Sequence, residues 1–259
     1  LAREVPRADA AALDRLRADP TAVMTAAGQT PDPWQERVLR TDSKRVLMLA
    51  SRQSGKSRVS AALALGTALL EPRSPILLLS PSGRQSGELF GKVVDLYDAF
   101  GRPVPAVSRT LHHLELANGS RILSLPGTEK TLRGFSGVAL LVIDEAARVD
   151  DGLYYAVRPM LAVSGGRLVA LSTPFGKRGW FHDAWFGEGD WERVRVTAEE
   201  CPRISKAFLE EERRALGERW FAQEYLTSFT ECIDAVFSYA DIQAARSSDV
   251  KPLFPLGDM

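Results

Sequence analysis

Cysteine is nearly missing from these 259 residues. Only Cys201 and Cys232 occur, far apart and without metal-ligand spacing. That excludes a disulfide framework and a cysteine-rich zinc module, and it suits a reduced, cytosolic setting. An excess of one charge is missing too: Lys+Arg and Asp+Glu both number 33. A nucleic-acid partner must then be held by a local patch or by a ring of several subunits. No apolar run reaches the ~18 residues of a membrane span, and no signal peptide is visible. Internal repeats and low-complexity tracts are absent. Leu1 stands where a start methionine is expected, and the ending "KPLFPLGDM" follows a proline-rich stretch, so the chain reads as a trimmed domain. What remains, 45% hydrophobic and 25% charged residues, is ordinary for a soluble globular protein. The length suits one large domain, or a domain with a small appendage.

Four short apolar runs read as buried strands: "RVLMLA" (45–50), "PILLLS" (75–80), "ALLVID" (139–144) and "RLVALS" (167–172). Helical spacing lies between them at 56–70, 84–100, 151–162 and 179–186. Buried strands alternating with helices imply an α/β fold with a mostly parallel sheet covered on both faces. Asn118-Gly119 between "LHHLELA" and "RILSLP" signals a hairpin. Residues 1–30 read as a short helix or a loosely docked arm ending in a turn. From about 197 the pattern changes, and two short helices with a break at Gly217 form a small helical appendage over 200–240.

The stretch "SRQSGKS" follows the first strand and opens a helix, the context a phosphate-binding loop requires. Backbone N–H groups of such a loop cradle phosphate oxygens. Gly55 allows close approach, Lys56 reaches the β- and γ-phosphates, and Ser57 is a Mg²⁺ ligand. Gln53 and Ser54 belong to the cradle. The first glycine of the usual pattern is missing, because position 50 is Ala50. "LLVIDEAA" sets two carboxylates at a strand end, the Walker B pattern. Asp144 there holds the metal and Glu145 activates water as general base. Ligands in open α/β sheets bind at the carboxyl ends of strands, and both motifs sit at such ends. Ser172 and Thr173 end the last strand, either as an ordinary turn before Pro174 or as a bridge to the γ-phosphate water network. The carboxamide of Gln35 in "DPWQ" matches the edge of adenine, although one glutamine alone carries little information.

Taken together, "PDPWQ", "SRQSGKS", "LLLSPSGRQSGELF", "LRGFSG", "LLVIDEAA" and "LSTPFGKRGWFH" resemble the large terminase subunit of tailed double-stranded DNA phages, in its N-terminal packaging ATPase. The resemblance covers roughly 31–240. It implies a P-loop NTPase core of the ASCE or RecA-like kind over 31–199, after an N-terminal arm (1–30). A helical lid over 200–240 and a linker over 241–259, toward a C-terminal nuclease domain not included here, complete the expected layout. It implies ATP hydrolysis with Mg²⁺, slow in isolation, and no nuclease activity in this chain. Implied partners are double-stranded DNA, the portal protein, the small terminase subunit and copies of the chain itself, a pentameric ring on the procapsid and a monomer in isolation. The implied setting is the host cell cytoplasm, away from membranes. In this family the loop's first glycine is commonly absent and an arginine stands inside it. Ala50 is then expected, and Arg52 is the arginine that approaches the phosphates, unless it faces solvent or pairs with a carboxylate. Arg133 in the "L-R-G" segment is expected to act in trans as an arginine finger on a neighbouring subunit's nucleotide, or else to fix its loop by a salt bridge. Arg109 and Arg121 on the hairpin region are candidates for gripping DNA phosphates, or simply a solvated edge.

Two other readings compete. "DEAA", "LSTP" and Gln35 also resemble motifs of a superfamily 2 helicase, but residues 190–259 cannot supply the second lobe such an enzyme needs. A nucleotide-binding scaffold without hydrolysis is opposed by Glu145.

Overall fold

The computed structural model describes residues 8–126, 134–231 and 244–245. Arg133, Cys232 and most of the expected linker lie outside the described residues.

Among the described residues eight strands form one sheet: β1 (Arg45–Ala50), β2 (Pro75–Ser80), β3 (Ala106–Arg109), β4 (His113–Leu116), β5 (Arg121–Pro126), β6 (Leu140–Asp144), β7 (Arg167–Ser172) and β8 (Glu192–Val196). Their order is β3-β4-β5-β2-β6-β7-β1-β8. The six strands from β5 to β8 run parallel, and β3 and β4 extend the β5 edge antiparallel. The four apolar runs in the sequence are β2, β6, β7 and β1, the four inner strands of the six parallel ones. They are apolar throughout because both of their faces are covered.

Successive residues on a strand point to opposite faces, and the core divides accordingly. Val46, Met48, Ile76, Leu78, Val142 and Val169 face one way. They meet α1 (Ala10–Ala18), α2 (Ala22–Ala26), α3 (Pro33–Arg40), α4 (Lys56–Leu70) and α5 (Gly83–Ala99). Leu47, Leu49, Leu77, Leu141, Ile143 and Ala170 face the other way. They meet α6 (Asp151–Val157) and α7 (Gly179–Phe186), where Trp180 stacks on Tyr154 at 3.9 Å. Helix α4 is buried on nearly every side, and its alanines at 61, 62, 64 and 68 let sheet and neighbouring helices approach. Leu16, Val23 and Met24 of the first two helices enter the same core, so this segment is packed down.

The Asn118-Gly119 hairpin forms as expected, joining β4 to β5 with Gly119 at φ 83°. The sequence reading did not anticipate β3, whose residues are mostly exposed and carry no apolar period. It also passed over β8, although Val194 and Val196 alternate there with Arg193 and Arg195, the pattern of a half-buried edge strand. After β8 comes α8 (Lys206–Glu224), broken at Gly217 (φ 75°, ψ 160°) as the sequence suggested.

Candidate active site

Strand register brings the chemistry together. Leu49 on β1 lies beside Ser172 on β7, and Leu171 beside Asp144 on β6. The loop after β1, the acidic pair after β6 and the Ser172–Thr173 end of β7 therefore share one edge of the sheet. Strand β7 lies between the other two.

The loop from Ser51 to Gly55 leads into α4, whose first N–H groups, those of Lys56 and Ser57, have no intrahelical acceptor and carry the positive end of the helix dipole. Gly55, at φ 93°, caps that helix. The positive φ favours glycine, and a Cβ on Gly55 would stand 2.7 Å from Gln35 Nε2 and displace that carboxamide. Gln53 (φ 58°) and Glu145 (φ 50°) are non-glycine residues held in the left-handed region. Such backbone persists only where surroundings enforce it, and it gathers at functional sites.

Lys56 is 10% exposed, and its Nζ stands 3.5 Å from Glu145 Oε1. Ser57 Oγ donates to Asp144 Oδ2 at 3.3 Å, and the N–H of Glu145 donates to Asp144 Oδ1 at 3.0 Å. Burial pushes the Asp144 carboxyl up to about 6; Lys56 opposes that rise and Glu145 adds to it. A buried carboxylate beside a serine hydroxyl, at the mouth of a phosphate loop, suits a hard cation that takes its other ligands from phosphate and water. Among the described residues no cluster of three His, Cys, Asp or Glu forms a metal cage.

Gln35 is buried. Its Oε1 accepts from the Asp32 N–H in a capping box for α3, and its Nε2 lies 3.5 Å from the Gly55 carbonyl. The carboxamide thus ties α3 to the phosphate loop. Beside it a cleft of about 660 Å³ is lined by Met24, Gln29, Pro31, Arg58 and Arg203. Thr173 Oγ1 accepts from Arg148 Nη1 at 3.1 Å, while the buried Ser172 hydroxyl has no partner among the described residues. Arg52 pairs with a carboxylate: its Nε donates to Glu224 Oε2 at 2.7 Å, and its N–H donates to the Glu224 carbonyl.

Arg109 and Arg121 are not brought together. Arg109 lies opposite Leu114, and Arg121 opposite Glu115, so the two point to opposite faces of the ribbon. Arg109 also donates to Asp98 at 3.0 Å.

Three side chains of this site escaped the sequence reading. Arg148 donates to Glu145 Oε2 at 2.7 Å and stands over the Phe175 ring. Glu224 gathers Arg52 and Arg148 at the end of α8. Arg203 grips both Asp32 oxygens at 2.7 Å and donates to the Ser54 carbonyl at 2.8 Å. Only Arg148, three residues past Glu145, had a local signal.

A phosphate loop on one strand end, an acidic pair on another and a strand inserted between them define a P-loop NTPase fold of the ASCE kind. Residues 47–244 match the family described as terminase large subunit, T4likevirus-type, N-terminal, and the chain belongs to that family. The terminase large subunit of Escherichia phage T5 is 26% identical over 193 residues, covering 71% of this chain and 44% of that protein. Among solved structures, the large terminase ATPase domain of Thermus phage P74-26 superposes with a TM-score of 0.71 at 21% identity, covering 80% of this chain and 97% of that one. The large terminase of a thermophilic bacteriophage in complex with ADP gives 0.63 at 14% identity, covering 81% and 53%. Structural likeness at identities this low establishes the fold alone. The chain spans about half the length of the curated relatives it matches. Family and fold both lie with terminases, so the helicase-fragment alternative is not favoured.

Proposed function

We propose that this chain is the ATPase motor part of a large terminase, hydrolysing ATP to ADP and phosphate to drive double-stranded DNA into a procapsid. The observation that carries the reading is the convergence of Lys56, Ser57, Asp144 and Glu145 at aligned strand ends in front of the α4 N-terminus. Phosphoryl transfer needs positioning and charge neutralisation more than covalent chemistry, and these groups supply both. The loop and the first turn of α4 bind the phosphates, with Gln53, Ser54 and Gly55 shaping the cradle. Lys56 leaves Glu145 to neutralise the γ-phosphate. Glu145 then accepts a proton from the attacking water. Ser57 and Asp144 would hold Mg²⁺, which when bound neutralises charge on the β- and γ-phosphates. The cleft beside Gln35 takes the base.

Arg52 and, from a neighbouring subunit, Arg133 are assigned to the charge that develops on the transferring phosphoryl group. Ser172 and Thr173 are assigned to coupling. We assign residues 1–30 to an arm, 31–199 to the ATPase core, 200–240 to a lid and 241–259 to a linker, with no nuclease chemistry in any of them. The partners that follow are duplex DNA, the portal protein, the small terminase subunit and further copies in a pentameric ring, in the host cell cytoplasm; the isolated chain is a monomer. Titration with a fluorescent ATP analogue and a phosphate-release assay test the reading. Lys56→Ala should lose turnover and weaken binding, whereas Glu145→Gln should bind normally and lose turnover. Wild-type turnover in Glu145→Gln removes that residue as the base.

A further inference from the structure

Among the described residues, four buried side-chain atoms have no hydrogen-bond partner, and three of them are serine hydroxyls: those of Ser51, Ser80 and Ser172. All three stand at the carboxyl end of a parallel strand. Ser51 follows β1, Ser80 ends β2 and Ser172 ends β7. Buried serines elsewhere are satisfied. Ser60 donates to the Lys56 carbonyl, Ser120 donates to the Glu71 carbonyl, and Ser86 and Ser124 bond to each other. An unmet hydroxyl is costly in a protein interior. Chance placement would scatter such groups, yet these gather on the edge that carries the phosphate loop and the acidic pair.

Ser80 is the one set against the buried carboxylate. Strand register puts Leu79 beside Ile143, so the next residues, Ser80 and Asp144, stand side by side at the ends of β2 and β6. They share a face as well. Ile76 and Leu78 on β2, and Leu140 and Val142 on β6, enter the core on the α4 side. Alternation carries Ser80 and Asp144 to that same side, where Ser57 of α4 donates to Asp144 Oδ2 at 3.3 Å. By the same alternation Ser172 faces α6 and α7. Ser80 is fully buried and Asp144 is 6% exposed. The carboxylate therefore has one serine hydroxyl from α4 and a second on the neighbouring strand. Its oxygens accept from Ser57 and from the Glu145 N–H, and Ser80 bonds to neither.

Neighbouring strands lie about 4.8 Å apart. Side chains held parallel at that spacing are too distant for a direct hydrogen bond, and one water spans the gap. A hydroxyl can accept from such a water as well as donate to it. Mg²⁺ gives up its waters reluctantly and keeps several when a carboxylate and phosphates hold it. We propose that Ser80 is a positioning residue for the divalent cation, its hydroxyl accepting a hydrogen bond from a water that the cation keeps beside Asp144. This rests on the ATPase reading above. Ser57 and Ser80 then differ in role: Ser57 is a ligand, and Ser80 acts one water further out. The partner of the Ser80 hydroxyl arrives with metal and nucleotide, which accounts for an unmet polar group in the protein alone.

Nucleotide titrations with and without metal separate this role from one in folding. A fluorescent, non-hydrolysable ATP analogue is titrated into the full chain in Mg²⁺ and in EDTA, and the melting temperature is read in EDTA. Ser80→Ala should weaken binding about tenfold in Mg²⁺ and by less than about twofold in EDTA. Its melting temperature in EDTA should equal or exceed that of wild type, because the change removes an unmet polar group. Ser80→Cys fills similar space with a weak acceptor. It should give the same binding pattern, and it replaces alanine if the alanine variant melts lower. Equal losses in Mg²⁺ and EDTA overturn the proposal, and so does the absence of loss in either. A wild type that binds equally in both conditions overturns it too, as does lower melting of both Ser80 variants in EDTA. Lys56→Ala is run beside them. If it binds the analogue as wild type does, the ATPase reading itself fails; if it loses binding while the Ser80 variants match wild type, only the role of Ser80 falls.

Discussion

Removing Arg203 should loosen the phosphate loop from the side opposite its lysine. The guanidinium reaches Asp32 through two bonds of 2.7 Å and the Ser54 carbonyl through one of 2.8 Å. It thereby clamps the start of α3, the loop and the Pro202–Arg203 turn into one unit. Arg203→Ala leaves Asp32, 7% exposed, with the Trp34 ring N–H at 3.2 Å and its capping bond. Breaking a fully buried pair costs about 3–5 kcal/mol, and an exposed pair contributes about 0–1. Arg203 is 47% exposed, so water replaces part of what the carboxylate loses, and a cost of about 2 kcal/mol follows. For a chain of this size that is a drop of roughly 4–8 °C in melting temperature.

The Ser54 carbonyl loses a donor as well, and a less ordered loop must pay to order on binding, so ATP affinity should fall about three- to tenfold. Arg203→Lys should recover little of either loss, because a single ammonium cannot bridge both Asp32 oxygens and the carbonyl as the planar fork does. Differential scanning fluorimetry and an ATP titration on the same samples read both effects. A melting temperature within about 1 °C of wild type, with unchanged affinity, would refute the clamp.

Gly166→Ala should destabilise by about 1–3 kcal/mol in urea unfolding, because a Cβ there would stand 2.0 Å from the Val138 carbonyl oxygen. A neutral result means that the β6–β7 approach is looser than it stands here. Asp144 is raised from 3.8 to about 6. Between those values the folded, nucleotide-free protein holds a proton that the unfolded chain releases, so its stability should fall as pH rises through about 6. Melting curves of wild type against Asp144→Asn should show the variant's relative advantage growing from about pH 5 to about pH 7; a constant difference removes the effect. On the hairpin edge, Arg121→Ala should weaken duplex DNA binding and reduce the salt slope by about one. Arg109→Ala, already paired with Asp98, should do less, and parallel salt titrations for all three proteins would exclude that edge as a DNA contact.

The parts of this molecule that were legible in the sequence are those in which cause and effect lie within a few residues. "RVLMLA" announces a doubly covered strand because both faces of the same six residues are buried. "SGKS" after that strand and "DE" after "LLVI" mark two strand ends that the register brings to one edge of the sheet, the arrangement on which the proposed phosphate site rests. Gly217 announced a helix break by its own backbone freedom. Arg52 shows where this reasoning stops. Its place in the loop directs it toward phosphate, yet its partner here lies 172 positions away in Glu224. Nothing around Glu224 in "RWFAQEYL" distinguishes it from Glu210, Glu211 and Glu218 of α8, which are exposed. It differs because its helix ends against the phosphate loop, where the Arg52 N–H donates to its carbonyl at 3.0 Å. Arg203 and Asp32 are the same case, remote in the chain and joined only once β8 and α3 are in place. On the proposed ATPase reading the loop residues specify which ligand can bind, whereas the residues that hold the loop in place are chosen by tertiary contact. Substitutions in the first group should abolish binding or chemistry outright, and substitutions in the second should change the balance between resting and loaded arrangements.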